Sequence, residues 1–147
     1  MENININIIN TSGHPNPVLE TQGSAGADLR AFINDTIIIK PFERKLIPTG
    51  LKMELPIGYE AQIRSRSGLA LKNGISVLNS PGTIDSDYRG DIGVILINHS
   101  NVEFTVNNGD RIAQIIIAKH EFPTFISTEK LKNSERGEGG FGSTGKK

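Results

Sequence analysis

The sequence has neither cysteine nor tryptophan among its 147 residues. Without thiols it cannot form disulfides, thiolate-bound zinc sites or a cysteine nucleophile. Aromatic residues make up only 5% of the chain, so we do not expect platforms that stack nucleic-acid bases. No apolar run reaches the roughly 20 residues of a membrane-spanning helix, and the first residues do not resemble a signal peptide. We therefore expect a cytoplasmic protein with no membrane contact.

The chain also lacks an excess of either charge, because 16 basic residues balance 16 acidic ones. A surface that binds DNA or RNA is normally basic, so a nucleic-acid partner is not expected. The length fits one domain, which we place at residues 1–135. Glycine, by contrast, is abundant, with 16 residues.

Apolar residues recur at every second position in several segments, which is typical of β-strands. Residues 3–8 and 51–55 alternate in this way, while residues 92–97 and 112–117 are apolar runs suited to fully covered strands. The alternating segment 102–106 leads into Asn108-Gly109, a dipeptide that predicts a hairpin turn. Short strands separated by Gly, Pro and Asn indicate an all-β sandwich or barrel.

One short helix is predicted, with Ser67 as its N-cap and Gly74 just past its C-terminus. Arg66 precedes this helix, and a guanidinium beside free backbone N–H groups could bind an anion. A capped helix with surface arginines explains the same residues, so both interpretations stay open. Residues 127–135 are interpreted as a polar linker.

Carboxylates occur in two further places. Asp85, Asp87 and Asp91 lie in one turn-rich segment, where they could orient water or metal ions, or could serve as turn residues. Asp28 lies alone at the start of a predicted strand. Gln114 interrupts a strongly apolar strand, so its amide needs a partner in the core or on a ligand.

The last segment, residues 136–147, is rich in glycine and is predicted to be a mobile tail. Residues 137–142 match the pattern GxGxxG, but that motif requires a strand before it and a helix after it. Its glycines would still let backbone N–H groups approach phosphate oxygens. A phosphate-binding arm and a disordered tail are both compatible with the composition.

Taken together, five segments in order resemble the five motifs of the trimeric dUTPases. The segments are residues 25–29 (AGADL), 66–70 (RSGLA), 82–90 (GTIDSDYRG), 109–114 (GDRIAQ) and 136–145 (RGEGGFGSTG). The resemblance implies an all-β, jelly-roll-like β-barrel with one short helix and a flexible Gly-rich C-terminal arm. It also implies a homotrimer in which active sites are shared between subunits.

The implied reaction is hydrolysis of dUTP to dUMP and pyrophosphate by water attack on the α-phosphorus. This reaction limits uracil incorporation into DNA and supplies dUMP. Mg²⁺ would be held by the triphosphate and by waters rather than directly by side chains. Asp85 would be the general base, and Asp28 would orient metal-bound waters. Asp87 and Asp91 are interpreted as turn residues.

The resemblance also implies the substrate contacts. Residues expected to bind the triphosphate are Arg66, Ser67, Gly68, Gln114, Arg136, Gly142, Ser143 and Thr144. Residues expected to bind uracil and the sugar are Asn79, Gly82, Thr83, Ile84, Tyr88 and Phe141. Among these, Tyr88 would lie under the deoxyribose and Phe141 would stack on uracil.

Two alternatives accompany this interpretation. A dCTP deaminase-type enzyme has a related fold, but the segment Arg66-Ser67-Gly68 and the Gly-rich fifth motif favour a dUTPase. A catalytically silent regulatory homologue would not need Asp85, Tyr88, Arg136 and Phe141, all of which are present.

Overall fold

The computed structural model describes residues 3–142 of the chain. These residues form ten strands and one helix: β1 (Asn7–Asn10), β2 (Ala27–Arg30), β3 (Ile37–Ile39), β4 (Arg44–Glu54), β5 (Tyr59–Arg64), α1 (Ser67–Asn73), β6 (Ile75–Val77), β7 (Gly82–Ile84), β8 (Ile92–Asn98), β9 (Phe104–Val106) and β10 (Arg111–Lys119).

The strands form two four-stranded sheets and one two-stranded sheet. The strand orders are β1-β4-β8-β6, β2-β10-β5-β7 and β3-β9, and every pair is antiparallel. Aliphatic side chains from all three sheets make one core, which includes Leu29, Ile39, Ile47 and Ile115. The predicted all-β, jelly-roll-like barrel with one short helix is confirmed over the described residues.

Alternating burial along β8 shows which residues of the strand form the core. Ile92, Val94 and Leu96 are buried, whereas the residues between them are half-buried. We predicted complete cover for this strand, and within a single chain its outer face is only partly covered. The predicted first strand also begins later than its alternation indicates, at Asn7.

Asn98, at the end of β8, is a fully buried polar residue. Its Nδ2 donates to the carbonyl oxygens of Ile39 at 2.9 Å and Val102 at 2.7 Å. Its Oδ1 accepts from the backbone N–H of Ser100 at 2.9 Å. A buried amide whose donors and acceptor all have partners holds the β8–β9 connection against β3.

The predicted hairpin at Asn108-Gly109 is wrong. A turn does form there, with Gly109 at a φ of 86°, but β9 pairs with β3 and β10 pairs with β2 and β5. The polar groups of this turn bond to residues distant in the chain. The Asn108 Oδ1 accepts from the Ile33 N–H at 3.1 Å, and the Gly109 N–H donates to the Ala31 carbonyl at 2.8 Å. The turn therefore carries the chain between sheets instead of closing a hairpin.

The helix α1 begins one residue earlier than expected. Arg66 is its N-cap, because the Ala70 N–H donates to the Arg66 carbonyl at 3.0 Å, and no side chain caps the N-terminus. The prediction of Ser67 as N-cap is wrong, since Ser67 is the first helical residue. Gly74 follows the helix with a φ of 66°, as predicted.

Residues 120–142 contain neither helix nor strand. Several large apolar side chains in this segment are exposed, namely Phe122, Phe125, Ile126 and Leu131. No helix within residues 3–142 has the length and hydrophobicity needed to cross a bilayer.

Candidate functional site

A cavity of about 160 Å³ lies where β2, β10 and the start of α1 meet. Its lining consists of Asp28, Arg66, Ser67, Gly68 and Gln114. All five residues are among those assigned to the site from the sequence. Strand pairing explains their convergence, because Gln114 on β10 is in register with Asp28 on one side and Arg64 on the other.

Asp28 lies between two arginines in this cavity. Its Oδ1 is 3.1 Å from the Arg66 Nε, and its Oδ2 is 3.2 Å from the Arg111 Nη1. The Arg66 Nη1 also donates to the Arg111 carbonyl at 2.9 Å, which fixes the guanidinium at a second point. The group of one carboxylate and two guanidinium ions carries a net positive charge, which suits a polyanionic ligand.

Gln114 finds the partner that its apolar surroundings require. Its Nε2 donates to the Ser65 carbonyl at 2.9 Å, and its Oε1 lies against Gly26. A Cβ at residue 26 would collide with Oε1 and would lie 3.2 Å from the Gln114 Cδ. Gly26 thus leaves room for the amide, and Gln114 keeps one N–H of its NH₂ group for a ligand.

The strand β7 carries three of the residues assigned to uracil and the sugar, Gly82, Thr83 and Ile84. It is the last strand of its sheet and pairs only with β5 among the described strands, through Gly82–Ile63 and Ile84–Ala61. An edge strand presents a row of backbone N–H and C=O groups that can bind a ligand. The Asn79 amide lies beside this edge, with its Nδ2 3.0 Å from the position of a Cβ on Gly82.

Asp85 follows β7 and is exposed, and its carboxylate makes no ion pair in the described structure. Its carbonyl accepts from the Tyr88 N–H at 3.1 Å, which closes a turn. Two ion pairs connect this turn to β4: Arg89–Glu54 at 3.4 Å and Lys52–Asp91 at 3.8 Å. The Asp91 contact agrees with a structural role for that residue.

The described part of the fifth motif lies apart from the cavity and from β7. Arg136 donates from Nε to the Gly139 carbonyl at 2.6 Å, and Phe141 is fully exposed. Gly142 is the last described residue, and Ser143 and Thr144 lie outside the described residues. The side chains of Arg136 and Phe141 therefore contact neither the cavity nor β7 within one chain.

Sequence reasoning missed two residues that contact the lining of the cavity. Arg111 pairs with Asp28, and Ser65 accepts from both Gln114 and, through its Oγ, from the Val77 N–H at 2.9 Å. The only sequence signal for Arg111 was its position within the fourth motif.

The described residues contain no group of three or more His, Asp or Glu side chains arranged to hold a metal ion. A Mg²⁺ ion that retains several waters and binds substrate phosphates requires only one or two carboxylates from the protein. Asp28 in the cavity fits that requirement.

The comparisons with known proteins agree with this geometry. A family model for dUTPases matches residues 14–145. The deoxyuridine 5′-triphosphate nucleotidohydrolase of Treponema denticola is 60% identical over 129 residues, which cover 88% of this chain and 90% of that protein. The enzyme of the same name from Cytophaga hutchinsonii is 55% identical over 141 residues, covering 96% and 92%.

Solved structures give the same result. The dUTPase of Staphylococcus bacteriophage 80alpha, bound to dUpNHpp, superposes with a TM-score of 0.86 at 25% identity, covering 96% of this chain and 98% of that one. The dUTPase of phage phi11, whose structure describes a structural Mg(II) ion, has a TM-score of 0.79 at 21% identity, covering 88% and 100%. The second likeness supports the fold alone. With the family match spanning the strands and loops that build the cavity, the chain belongs to the dUTPase family.

Proposed function

We propose that this chain catalyses the reaction of its family, hydrolysis of dUTP to dUMP and pyrophosphate, with the side chains described above. The observation that carries the assignment is the cavity in which Asp28 holds two guanidinium groups beside Ser67 and Gln114. Acting on the deoxynucleotide pool, which we place in the cytoplasm, the enzyme limits uracil incorporation into DNA and supplies dUMP.

The cavity binds the triphosphate. Arg66 offers the fork of N–H donors that matches phosphate oxygens, and its Nε and Nη1 contacts to Asp28 and Arg111 hold it in place. The Ser67 hydroxyl, the Gly68 backbone and the free N–H of Gln114 complete the set of donors. Such prearranged donors favour the charge that develops on phosphate oxygens during attack.

Mg²⁺ is the metal that this donor set fits, held by the triphosphate and by waters. When bound, it neutralises the substrate charge and stabilises the leaving pyrophosphate. Asp28 accepts hydrogen bonds from waters with the lone pairs that its two arginines leave free. In this role Asp28 also positions Arg66 and thereby acts on the substrate through it.

Asp85 is the general base. Its exposed carboxylate is free of ion pairs in the described structure, so its oxygens are available to a water molecule. It orients the attacking water and accepts its proton as the bond to the α-phosphorus forms. Because a carboxylate is a weak base, alignment contributes more than proton affinity.

The edge of β7 reads the base. Backbone groups of Gly82, Thr83 and Ile84 pair with uracil, and the Asn79 amide completes the pairing. Cytosine leaves these groups without partners and is rejected on that account. Tyr88 packs under the deoxyribose and leaves no room for a 2′-hydroxyl.

A homotrimer with shared sites brings these groups together. Within one chain the phosphate cavity, the β7 edge and Arg136 with Phe141 form three separate groups. The barrel of residues 1–135 supplies the first two groups, and the arm of residues 136–147 supplies the third. The arm closes on bound dUTP with Phe141 on uracil and with Arg136, Gly142, Ser143 and Thr144 on the phosphates. Equilibrium sedimentation should give three times the 16.0 kDa of one chain, and a monomer would contradict shared sites.

Pyrophosphate release from each deoxynucleoside triphosphate and from UTP, with Mg²⁺, tests the activity. We expect turnover of dUTP in large excess over dCTP, dTTP and UTP, with no ammonia released from dCTP. Equal turnover of all triphosphates would overturn the assignment of specificity, ammonia from dCTP would establish the deaminase alternative, and complete inactivity would favour the silent homologue.

A further inference from the structure

Gly90 lies against the hydroxyl end of the Tyr88 ring. A Cβ on this glycine would stand 2.5 Å from the Tyr88 Cζ and 2.8 Å from its Cε2, and it would also collide with the hydroxyl oxygen. Distances this short are well inside van der Waals contact, so no side chain fits at residue 90 while the ring keeps its place.

Two hydrogen bonds hold Tyr88, one through its ring hydroxyl and one through its backbone. Its hydroxyl donates to the Asp91 carbonyl at 2.9 Å, and its backbone N–H donates to the Asp85 carbonyl at 3.1 Å. The turn that carries these acceptors is joined to β4 by the ion pairs of Arg89 and Asp91. The residue is nevertheless 46% exposed, so it leaves a free surface for a ligand.

We infer that Gly90 determines the selectivity of this site for deoxyribose, because its missing side chain lets the Tyr88 ring lie low against the turn. The inference rests on the proposed contact of Tyr88 with the sugar. The contact with Gly90 and the hydrogen bond to Asp91 keep the ring at a fixed distance from the turn. The space above the ring then admits deoxyribose and excludes a sugar that carries a 2′-hydroxyl. Gly90 touches no substrate and acts through Tyr88 as a positioning residue.

The Gly90→Ala variant tests this inference through the ratio of kcat/KM for dUTP to kcat/KM for UTP. The added methyl group displaces the ring, and any displacement degrades the fit to deoxyribose or opens space for the 2′-hydroxyl. We expect the ratio to fall on the order of tenfold to a hundredfold, as misplacements of about 1 Å commonly do. Gly23→Ala is the matched control, since a Cβ there meets no atom within 4 Å, and its ratio should equal that of the wild type.

A second pair of variants shows whether the effect passes through the ring. In a Tyr88→Ala background, adding Gly90→Ala should leave the ratio unchanged, because no ring remains to be displaced. A further fall in the double variant would overturn the inference. So would a wild-type ratio in Gly90→Ala.

Folding of the variants is informative as well. If Gly90→Ala fails to fold but the double variant with Tyr88→Ala folds, the clash with the ring is confirmed. If neither folds, Gly90 serves the backbone and the inference is wrong. A wild-type chain that does not hydrolyse dUTP would instead overturn the proposed function, and that result is obtained before any variant is measured.

Discussion

Asp28 and Arg66 form an ion pair of 3.1 Å that joins β2 to the residue preceding α1, and the same carboxylate reaches Arg111 at 3.2 Å. The Asp28 side chain is 24% exposed, so solvent screens these pairs only in part.

Asp28→Asn should therefore loosen both arginines. With both guanidinium groups held less firmly, we expect kcat/KM for dUTP to fall about ten- to thirtyfold, or about 1.4–2 kcal/mol of transition-state stabilisation. Steady-state kinetics with Mg²⁺ measure this change. Asp87→Asn is the matched control, because Asp87 makes no ion pair among the described residues. An equal fall in both variants would argue against a specific role for Asp28.

Asp85→Asn should separate binding from chemistry. The substitution keeps the size of the side chain but removes its charge, so turnover should fall at least about a hundredfold. Affinity for a dUTP analogue with an imido bridge, measured by calorimetry, should stay within about threefold of the wild type. Turnover at the wild-type rate would exclude Asp85 as the general base.

Deletion of residues 136–147 should slow hydrolysis without unfolding the barrel. Phe141 is exposed, and the hydrogen bonds of the described residues 136–142 stay within residues 134–139, so the melting temperature should not change. Loss of contacts to uracil and phosphates should lower kcat about a hundredfold. If the rate at saturating dUTP is unaffected, residues 136–147 are a tail without function.

Asn98→Ala should destabilise the fold. It removes the donor to the buried Ile39 carbonyl, and leaving that acceptor unpaired costs about 1–3 kcal/mol, while the Val102 carbonyl keeps the Ser100 hydroxyl as a donor. Urea unfolding measures the loss. Asn101→Ala is the control, because Asn101 is exposed in the same connection and should change stability by less than about 0.5 kcal/mol.

Local pattern predicted strands such as β8 and β10 well, because burial of a strand follows from its apolar residues, but it did not predict β5, β6 and β7. Ile92, Val94 and Leu96 are examples, and Gly74 ends α1 as its conformational freedom suggests. The dipeptide Asn108-Gly109 also correctly predicted a turn. The pairing of the strands on either side of this turn could not be predicted, because tertiary contacts such as that of Asn108 with Ile33 determine the partners of β9 and β10.

The candidate site was predicted through motif resemblance rather than through geometry. Asp28, Arg66 and Gln114 stood out in the sequence, but their contacts with Arg111 and Ser65 did not. Arg111 is 83 residues from Asp28 along the chain, and no local pattern reports a contact at that separation. Gly90 was missed for a different reason, because its contact with the nearby Tyr88 depends on the conformation of the side chain, which the sequence does not report.

The pairing of β2 with β10 has a consequence for synthesis of the chain. The phosphate cavity needs Asp28 and Gln114 side by side, so a growing polypeptide cannot assemble it until β10 has left the ribosome. Folds dominated by such distant pairings mature slowly, and their unpaired edges stay open to other chains meanwhile. Nascent chains that stop before residue 111 should accordingly lack affinity for nucleotide and depend on chaperones.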